Sequence, residues 1–534
     1  MNFKKHLLAL FLLFLLIQSS YAQVWQWSVS VDSVISNENN SRPQAFLWIP
    51  ENCKHVRGVI LCQHNMIEEG ILENASFRKT MTELGFAEVW ITPALDITFD
   101  FTKGVDRHFE RMMKSLADVS GYAELATAPI VPMGHSALAS YPWNFAAWNP
   151  NRTLAVISIH GDSPLTKLTG SGRPNPDWGN RSIEGLPSLF VMGEYEWWEA
   201  RIQPGFDYVE KYPKTPISFF ADAGHGHFDY SVELINYLAL FIKKAAHYRL
   251  QKKEKQLLLP IDPQKGWLMD RWHKDSLPTA QAKPYALYQG NRKQASWCFD
   301  EEMTIATERF YAKARGKQNQ QLGFIQHGNI IKPTGGHANY NLKFMPLEDG
   351  ISFHLKGFFA DTSRLKPTLH RPKSQVSIDR ICGPVRKISN TTFQINFYRM
   401  GFNNPKRSND IWLLASNNGD EHYKSAVQQL NMRFPLVNKE GKAQKITFST
   451  LSNQKVGNSK LPLTATSDAG LSIYYYVKEG PAKIQGTNLI FTKIPPKSKF
   501  PVKVTVVAWQ YGIAGKVQSA EPVEKYFYIM GSAK

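Results

Sequence analysis

The sequence predicts an α/β protein, with a mostly parallel sheet covered by helices on both faces, followed by smaller β-rich domains. Up to about residue 250, short apolar runs alternate with longer stretches of helical period. This alternation is typical of parallel sheets, because each parallel connection needs a crossover that is usually helical. Beyond that point the alternation stops, and short β-type runs separated by turns replace it. A chain of 534 residues is also too long for one ordinary core, so about two to four domains are expected.

The elements of the first part follow one another regularly. Strands are predicted at 46–49, 58–62, 87–91, 129–133, 154–159, 189–192 and 217–220, and helices at 76–84, 106–125, from 137 onward and 231–246. Gly85 ends the first helix. Glycine is common at this place because the residue that ends a helix often adopts a left-handed conformation. The order of these elements predicts one sheet with helices on either side.

The second part begins after a charged stretch at 251–255 and a proline-containing linker at 259–263. Later β-type runs include 351–355 and 392–397, and a helix is predicted over 421–432. Three alternating runs near the C-terminus, at 445–448, 471–476 and 502–508, are typical of half-buried strands. The predicted organisation is a signal peptide at 1–22, an α/β domain at 23–255, a β-rich middle domain at 256–444 and a β-sandwich at 445–534.

The N-terminus has the three parts of a secretory signal. Lys4 and Lys5 precede an apolar run at 7–17, and Ser20-Tyr21-Ala22 places small residues before a cut at Gln23. The alternative is a membrane anchor, but the run is short for a bilayer. No cysteine lies at the cut, and no later segment is apolar over about 20 residues. The sequence therefore predicts an exported protein, periplasmic or secreted, with a bacterial type of signal and no membrane partner after cleavage.

The chain is basic, with 63 Lys and Arg against 45 Asp and Glu and a net charge of +18. Export argues against nucleic acid as a partner, whereas anionic polymers such as uronic-acid polysaccharides fit the charge. A generally basic surface is the alternative, because the basic residues are scattered. Cys53 and Cys62 could pair, although the apolar run around Cys62 favours a buried thiol. No cysteine pair has metal-site spacing, and no metal or cofactor is predicted.

Ser136 is the candidate nucleophile. A serine hydroxyl needs a base, an acid that orients the base, and donors for the developing oxyanion. Gly134-His135-Ser136 follows a predicted strand and opens a predicted helix, and it resembles the nucleophile turn of the α/β-hydrolase superfamily. The motif departs from the family at Leu138, where a glycine is usual.

The partners of Ser136 follow in the family's order of serine, acid and histidine. Glu196 comes shortly after the strand at 189–192 and fits the usual offset, and Glu194 is the rival acid. His227 directly precedes a helix and is the predicted base, and His225 in the same loop is the alternative. The resemblance to α/β-hydrolases covers about residues 24–250.

Two backbone N–H groups are expected to form an oxyanion hole. The resemblance gives the first to Ala137, at a helix N-terminus, where free N–H groups and the helix dipole favour negative charge. The second is expected from Asn65 or Met66, after the strand at 58–62. His64 beside them is predicted to have a structural role, with pocket lining as the alternative.

The substrate region is predicted in the loop after residue 159 and beside the acid. Trp178, Trp197 and Trp198 could stack on sugar rings, and Asp162 and Arg201 could bind hydroxyls or a carboxylate. The alternative is that the tryptophans only pack the loop. These residues predict a carbohydrate substrate.

The C-terminal segments 464–471, 480–482 and 506–510 resemble small immunoglobulin-like modules of bacterial surface and secreted proteins. Together with export and the aromatic residues near Glu196, this favours an esterase that removes acetyl or methyl groups from a polysaccharide or oligosaccharide. One alternative is a serine peptidase of the same fold, although relatives such as prolyl oligopeptidases carry a β-propeller before the hydrolase domain. The other is a non-catalytic glycan-binding protein with a degenerate hydrolase domain, which only Leu138 favours.

Overall fold

The computed structural model describes residues 24–32, 34–36, 38–251, 257–335 and 338–531, so the predicted signal peptide lies outside the described residues. Eight strands form the main sheet: β1 (Trp27–Ser30), β2 (Gln44–Trp48), β3 (Gly58–Gln63), β4 (Phe86–Thr92), β5 (Ile130–His135), β6 (Val156–Ile159), β7 (Ser188–Gly193) and β8 (Ile217–Asp222). Their order across the sheet is β1-β2-β4-β3-β5-β6-β7-β8.

The direction of these strands confirms the predicted fold class. β3 to β8 run parallel to one another, whereas β2 is antiparallel to both β4 and β1 at one edge of the sheet. Every residue of β3, β4, β5, β7 and β8 is buried. Burial on both faces explains why these strands appear in the sequence as continuous apolar runs rather than alternating ones. This order and direction of strands is that of the α/β-hydrolase fold.

Helices cover both faces of the sheet, as predicted. Helices Ala75–Leu84 and Val232–Arg249 share one apolar core with one face, and Val105–Ser120, Tyr141–Trp148 and Glu199–Lys211 share a second core with the other. A short helix, Glu68–Leu72, follows β3 and lies near the carboxyl end of β5. These helices leave the carboxyl ends of the parallel strands as the edge where site residues can meet.

Residues 257–314 extend the first core instead of separating from it. Three strands, Trp267–Met269, Lys283–Pro284 and Ser296–Cys298, form a small sheet, and its strand Ser296–Cys298 and the helix Glu301–Ala312 lie beside β8. Ser218 Oγ donates a hydrogen bond to the Trp297 carbonyl at 2.5 Å, and Phe219 N–H donates to Ser296 Oγ at 2.9 Å. Met303 and Phe310 enter the same apolar core as β8. The predicted boundary at 255 thus divides residues that pack together.

The rest of the middle region is built from three small sheets, as the β-rich prediction implied. Their strands are Gln321–Gln326, Asn329–Ile330 and Lys356–Ala360; Asn341–Lys343, Ser377–Cys382, Asp410–Asn417 and Ala426–Arg433; and Ser352–His354, Val385–Lys387 and Thr392–Ile395. The prediction of a helix over 421–432 is wrong. Residues Ala426–Arg433 form a strand antiparallel to Asp410–Asn417, and alternate residues are buried, which is the period of a strand.

The C-terminal region forms three further sheets around a separate core. The strands are Ile446–Phe448, Gln454–Lys455, Lys460–Pro462, Ala465–Ser467, Tyr474–Glu479, Ala482–Gln485, Asn488–Phe491, Val502–Trp509 and Val523–Met530. Val504, Val506 and Phe527 lie in this core, in agreement with the predicted sandwich.

Cys53 and Cys62 are both buried free thiols, so the pairing left open by the sequence is not formed. Within the described ranges, the helices are all too short or too polar to span a bilayer.

Candidate active site

The turn between β5 and the following helix presents Ser136 in a strained conformation. Ser136 has φ of +54°, which few residues other than glycine adopt. Gly134 makes the turn possible, because a Cβ there would lie 2.1 Å from the Leu138 carbonyl oxygen and 2.9 Å from the Tyr141 ring. This is the strand–turn–helix setting in which a serine hydroxyl is exposed at the edge of an α/β-hydrolase sheet.

Leu138 does not disturb this turn. Its side chain is buried in the apolar core beneath the sheet. The close approach needed behind the turn is supplied by another glycine: a Cβ on Gly161 would lie 1.8 Å from the Cβ of Ala139. The departure from the family motif is therefore absorbed by packing.

Three predicted residues meet in one chain of hydrogen bonds. The Ser136 hydroxyl lies 2.7 Å from His227 Nε2, and His227 Nδ1 bonds Glu196 Oε2. Glu196 follows β7 and His227 follows β8, so the sheet brings them to Ser136 at the end of β5. Burial alone would raise the pKa of Glu196, but the neighbouring imidazoles His160 and His227 outweigh it and lower that pKa. Glu196 is therefore ionised at neutral pH.

The rival residues have other partners. Glu194 is buried, and its carboxylate bonds Lys424 Nζ at 2.7 Å and the N–H of Gly224 at 2.8 Å. His225 Nδ1 bonds Asp229 instead of Glu196. Burial lowers the pKa of His225, but Asp222 and Asp229 more than offset this and raise it to about 9. His225 is thus an imidazolium between carboxylates at neutral pH, a state that cannot accept a proton from serine.

Two histidines of the site were not given a role from the sequence. His160 Nδ1 lies 2.6 Å from Glu196 Oε1, whereas His227 bonds the other carboxylate oxygen, Oε2. His135 Nε2 donates to the His227 carbonyl at 2.7 Å, and His135 Nδ1 lies 3.2 Å from Asn65 Nδ2. Burial, followed by the charges of His227 and His160, lowers the pKa of His135, so it stays neutral. His135 lies in the nucleophile motif, but at the position where the motif specifies no residue type, and His160 lies in no motif; the fold brings the two together.

The predicted oxyanion donors differ in their surroundings. Ala137 directly follows Ser136 in the turn. The N–H groups of Asn65 and Met66, in contrast, donate to Glu68 Oε2 at 3.2 and 2.8 Å. Burial raises the pKa of Glu68 to about 7, although backbone N–H groups oppose this. Both expected second donors are therefore engaged by a carboxyl group in this conformation.

His64 lies beside these donors and is buried among protein groups. Its Nδ1 is 2.9 Å from Thr92 Oγ1, and its ring centroid is 5.0 Å from that of Trp90. These contacts fit the structural role expected for it.

Two of the predicted substrate residues lie inside the protein. Asp162 is fully buried; its carboxylate accepts hydrogen bonds from the Ser140 hydroxyl and, at 3.0 Å, from Gly170 N–H. Trp178 is also buried, and its indole N–H donates to Asn144 Oδ1 at 2.8 Å. These contacts hold the loop after β6 in place and leave no ring face of Trp178 for a sugar.

The other three predicted substrate residues lie nearer the surface, beside the acid. Trp197 packs on Trp272 with ring centroids 4.6 Å apart. Trp198 is 47% exposed, and the Arg201 guanidinium lies 5.0 Å from its ring centre. An exposed indole next to a cation is thus the part of the predicted sugar site that remains accessible.

The middle region contacts three of the site loops through Arg407, Trp412, Lys424 and Ser425, which we call the buttress. Arg407 Nη1 donates to the Asn65 carbonyl at 2.8 Å. Lys424 binds Glu194 as described above, and the Ser425 carbonyl accepts a hydrogen bond from the Tyr195 hydroxyl at 2.6 Å. The Trp412 ring lies 5.3 Å from Phe228, next to His227. The loops that carry the acid, the base and the expected oxyanion donor thus all rest on the buttress.

Comparisons with known proteins give the following. No protein-family model matches the sequence, and the search of curated proteins finds no match. Similar solved structures include FphF, a fluorophosphonate-binding serine hydrolase of Staphylococcus aureus (13% identity, 41% of this chain and 97% of that chain, TM-score 0.28). Another is Est1E from Butyrivibrio proteoclasticus, with 16% identity over 42% of this chain and 99% of that chain and a TM-score of 0.29. A third is a truncated carbohydrate esterase from gut microbiota, with 13% identity over 42% of this chain and 98% of that chain and a TM-score of 0.30.

These matches are distant and cover about two fifths of the chain. The fold is established by the order of the strands, by the helices that cover both faces of the sheet and by the turn at Ser136. Strands β1 to β8 and the helices that cover them have the α/β-hydrolase fold.

Proposed function

We propose that the protein is an exported serine esterase that hydrolyses an acetyl or methyl ester on a polysaccharide or oligosaccharide through an acyl-enzyme intermediate. The observation that carries the proposal is the chain of hydrogen bonds from Ser136 through His227 to Glu196. A hydroxyl 2.7 Å from an imidazole, backed by an ionised carboxylate, is the arrangement that activates a serine.

In the proposed reaction, His227 takes the Ser136 proton as the serine oxygen attacks the ester carbonyl. The Ala137 N–H stabilises the resulting oxyanion, and Glu196 stabilises the imidazolium that forms. His227 then gives its proton to the leaving alcohol oxygen, leaving an acyl group on Ser136. Water then gives a proton to His227 as it attacks that acyl group, and His227 returns the proton to the Ser136 oxygen, so that the acid and free serine are released.

The carbohydrate part of the proposal is supported by Trp198 and Arg201. One face of the Trp198 indole lies under the guanidinium, and its exposure leaves room for the apolar face of a sugar ring. Arg201 is suited to a sugar carboxylate, because a guanidinium binds carboxylates through paired N–H groups. The net charge of +18 favours an anionic polysaccharide in the same way. Export is proposed from the signal sequence at 1–22.

The first experiment measures acetate and methanol released from a panel of acetylated and methyl-esterified polysaccharides by the mature chain. Turnover of nitrophenyl acetate and labelling of Ser136 by a fluorophosphonate are measured on the same protein, with Ser136→Ala as the control. We expect both reactions in the wild type and neither in the variant. Absence of turnover and of labelling in a folded wild type would overturn the enzyme proposal.

The sugar site is tested with Trp198→Ala and the conservative Trp198→Phe. An aromatic stacking interaction contributes about 0.5–1.5 kcal/mol, so its loss predicts that KM for the polymer rises by up to about tenfold. The KM for nitrophenyl acetate should stay unchanged, and Trp198→Phe should retain most polymer affinity. Equal effects on both substrates would contradict a sugar-binding role for Trp198.

A further inference from the structure

The carboxylate of Glu196 lies between two imidazoles. His227 bonds Oε2, and His160 Nδ1 lies 2.6 Å from Oε1, which also accepts the N–H of Gly193 at 3.2 Å. A serine, a histidine and an acid are sufficient for nucleophilic catalysis. His160 is thus an additional histidine on the acid, and neither the proposed mechanism nor the sequence motif accounts for it.

His160 is held rigidly in this place. Its side chain is fully buried, and the residue has φ of +48° directly after β6. A left-handed conformation in a residue with a Cβ is costly and persists only where the surroundings impose it. The ring lies 5.8 Å from that of His135 and 6.2 Å from that of His227, measured between centroids.

The charged groups around His160 are mostly acidic. Its Nε2 lies 3.8 Å from Asp222 Oδ2 at the end of β8, and Asp229 lies further along the same loop. Among the described residues, neither His160 Nε2 nor either Asp222 oxygen has a hydrogen-bond partner. His225 is also close to Asp222, and His135 beside His160 is neutral. A neutral His160 would leave the buried Glu196 and Asp222 carboxylates without a cation between them, which is unfavourable at low dielectric.

We propose that His160 is a positioning residue that holds Glu196 from the side opposite His227 and, as an imidazolium, lowers the basicity of His227. Burial alone would lower the pKa of His160, but Glu196, Asp222 and Asp229 outweigh burial and raise it. The His160 imidazolium partly neutralises the Glu196 carboxylate, and it repels the positive charge that a proton brings to His227. More of the base is then unprotonated at mildly acidic pH, so activity extends to lower pH.

The kinetic part of this proposal rests on the proposed function and is tested by His160→Asn, because the Asn amide can still donate to Glu196 but carries no charge. Two unit charges about 6 Å apart interact by roughly 1–3 kcal/mol at an effective dielectric constant of 20–40. The midpoint of the acid limb of kcat/KM should therefore rise by about one to two pH units. His160→Ala, which also removes the hydrogen bond, should lose kcat as well. His108→Asn, in the helix Val105–Ser120, is the matched control and should leave the midpoint unchanged.

Imidazole ¹⁵N spectra of the wild-type protein test the charge of His160 without turnover. We expect one imidazole, absent from the His160→Asn spectrum, to keep both ring nitrogens protonated at pH 7. If that variant does not fold, Asp222→Asn serves for assignment, because it should specifically perturb the His160 and His225 signals. Asp222→Asn should also move the acid limb upward, since it removes a charge that keeps His160 protonated.

A neutral His160 at pH 7 in the wild type, or an acid limb that is identical in the wild type and His160→Asn, would overturn the proposal. Lower kcat with an unchanged midpoint would also overturn it, because a purely structural role would produce that pattern. A wild type without turnover and without fluorophosphonate labelling of Ser136 would instead be a failure of the proposed function. The ¹⁵N spectra would still decide the charge of His160.

Discussion

Replacement of Lys424 by methionine tests whether the buttress supports the active site. Lys424 belongs to the middle region, yet its ammonium lies 2.7 Å from Glu194 Oε1, two residues before Glu196. The side chains of Lys424 and Glu194 are 1% and 0% exposed, and a second partner, Asp275, is 40% exposed at 2.8 Å. Methionine keeps an apolar stem of similar length and removes the ammonium, with both its charge and its N–H donors.

The expected loss follows from the burial of Glu194. Removing one partner of a buried ion pair costs about 3–5 kcal/mol, because the other charge stays buried without compensation. Glu194 would keep the Gly224 N–H as its remaining partner among those described above. Asp275 is partly in water and should add little. The hydrolase and middle regions together have roughly 400 residues, and at about 2.1 cal/mol/K of unfolding entropy per residue each kcal/mol shifts the midpoint by about 1 °C. Their transition should therefore fall by roughly 3–6 °C.

Activity should fall as well, because Glu194, Tyr195 and Glu196 form one continuous turn after β7. A displacement of about 1 Å at the acid can cost about 10²-fold in rate, so kcat/KM on nitrophenyl acetate should fall by up to that factor. Differential scanning calorimetry and ester kinetics provide the two measurements.

Two controls separate this effect from a general loss of charge. Lys293→Met breaks an exposed pair with Glu210, whose side chains are 71% and 55% exposed, and should cost less than about 1 kcal/mol. The double variant Lys424→Met/Glu194→Gln should recover much of the lost stability, because no buried charge is left unpaired. If Lys424→Met melts within a degree or two of the wild type, the buried-pair reasoning is refuted.

The remaining predictions concern the site itself. His227→Ala should lower kcat/KM for ester hydrolysis by about 10³-fold or more. His225→Ala should lower it far less, because His225 bonds Asp229 and not Ser136. Equal losses in the two variants would contradict this prediction. Glu68→Ala leaves three backbone N–H groups without their acceptor and should cost about 3 kcal/mol or more in urea unfolding, with Glu68→Gln milder. Because folding raises the pKa of His225 from 6.5 to about 9, its stabilisation is complete below pH 6.5 and lost as pH rises through about 9. The Tm difference between wild type and His225→Asn should shrink over that range. A Cβ on Gly170 would lie 2.5 Å from the Ser136 carbonyl oxygen, so Gly170→Ala should slow fluorophosphonate labelling, and an unchanged rate would count against that contact.

The parallel sheet could be predicted because its signals are local. Buried parallel strands appear as apolar runs, and Gly134 before Ser136 indicates the tight turn after β5. The acid and the base could be ordered along the chain because each follows a strand of the same sheet. The choice between His225 and His227 could not be made locally, since the two lie two residues apart and differ in their partners across the fold.

Other features depend on contacts that the sequence does not display. His160 lies directly after β6, yet it contacts an acid that follows β7. Glu68 occupies the expected oxyanion donors because it is buried, and its burial is set by β5 and the residues around His135. The sequence predicts a helix where the strand Ala426–Arg433 lies, because polar Gln428 stands on the buried face next to Gln429 and interrupts the polar–apolar alternation that indicates a strand. Pairing with Asp410–Asn417 decides in favour of the strand.

The part of the chain beyond residue 250 therefore acts as the support of the site and not as a detachable addition. Residues 263–314 complete the core behind β8, and the buttress fixes the loops that carry the acid and the base. The C-terminal module continues this support, because Val507 and Trp509 pack into the core of the middle sheets. It also reaches the hydrolase domain directly: Ser28 Oγ donates to Glu479 Oε2 at 2.6 Å, and Lys499 N–H donates to the Ser120 carbonyl at 2.9 Å. We therefore expect the geometry at Ser136 to depend on the middle and C-terminal regions as well as on the hydrolase sheet.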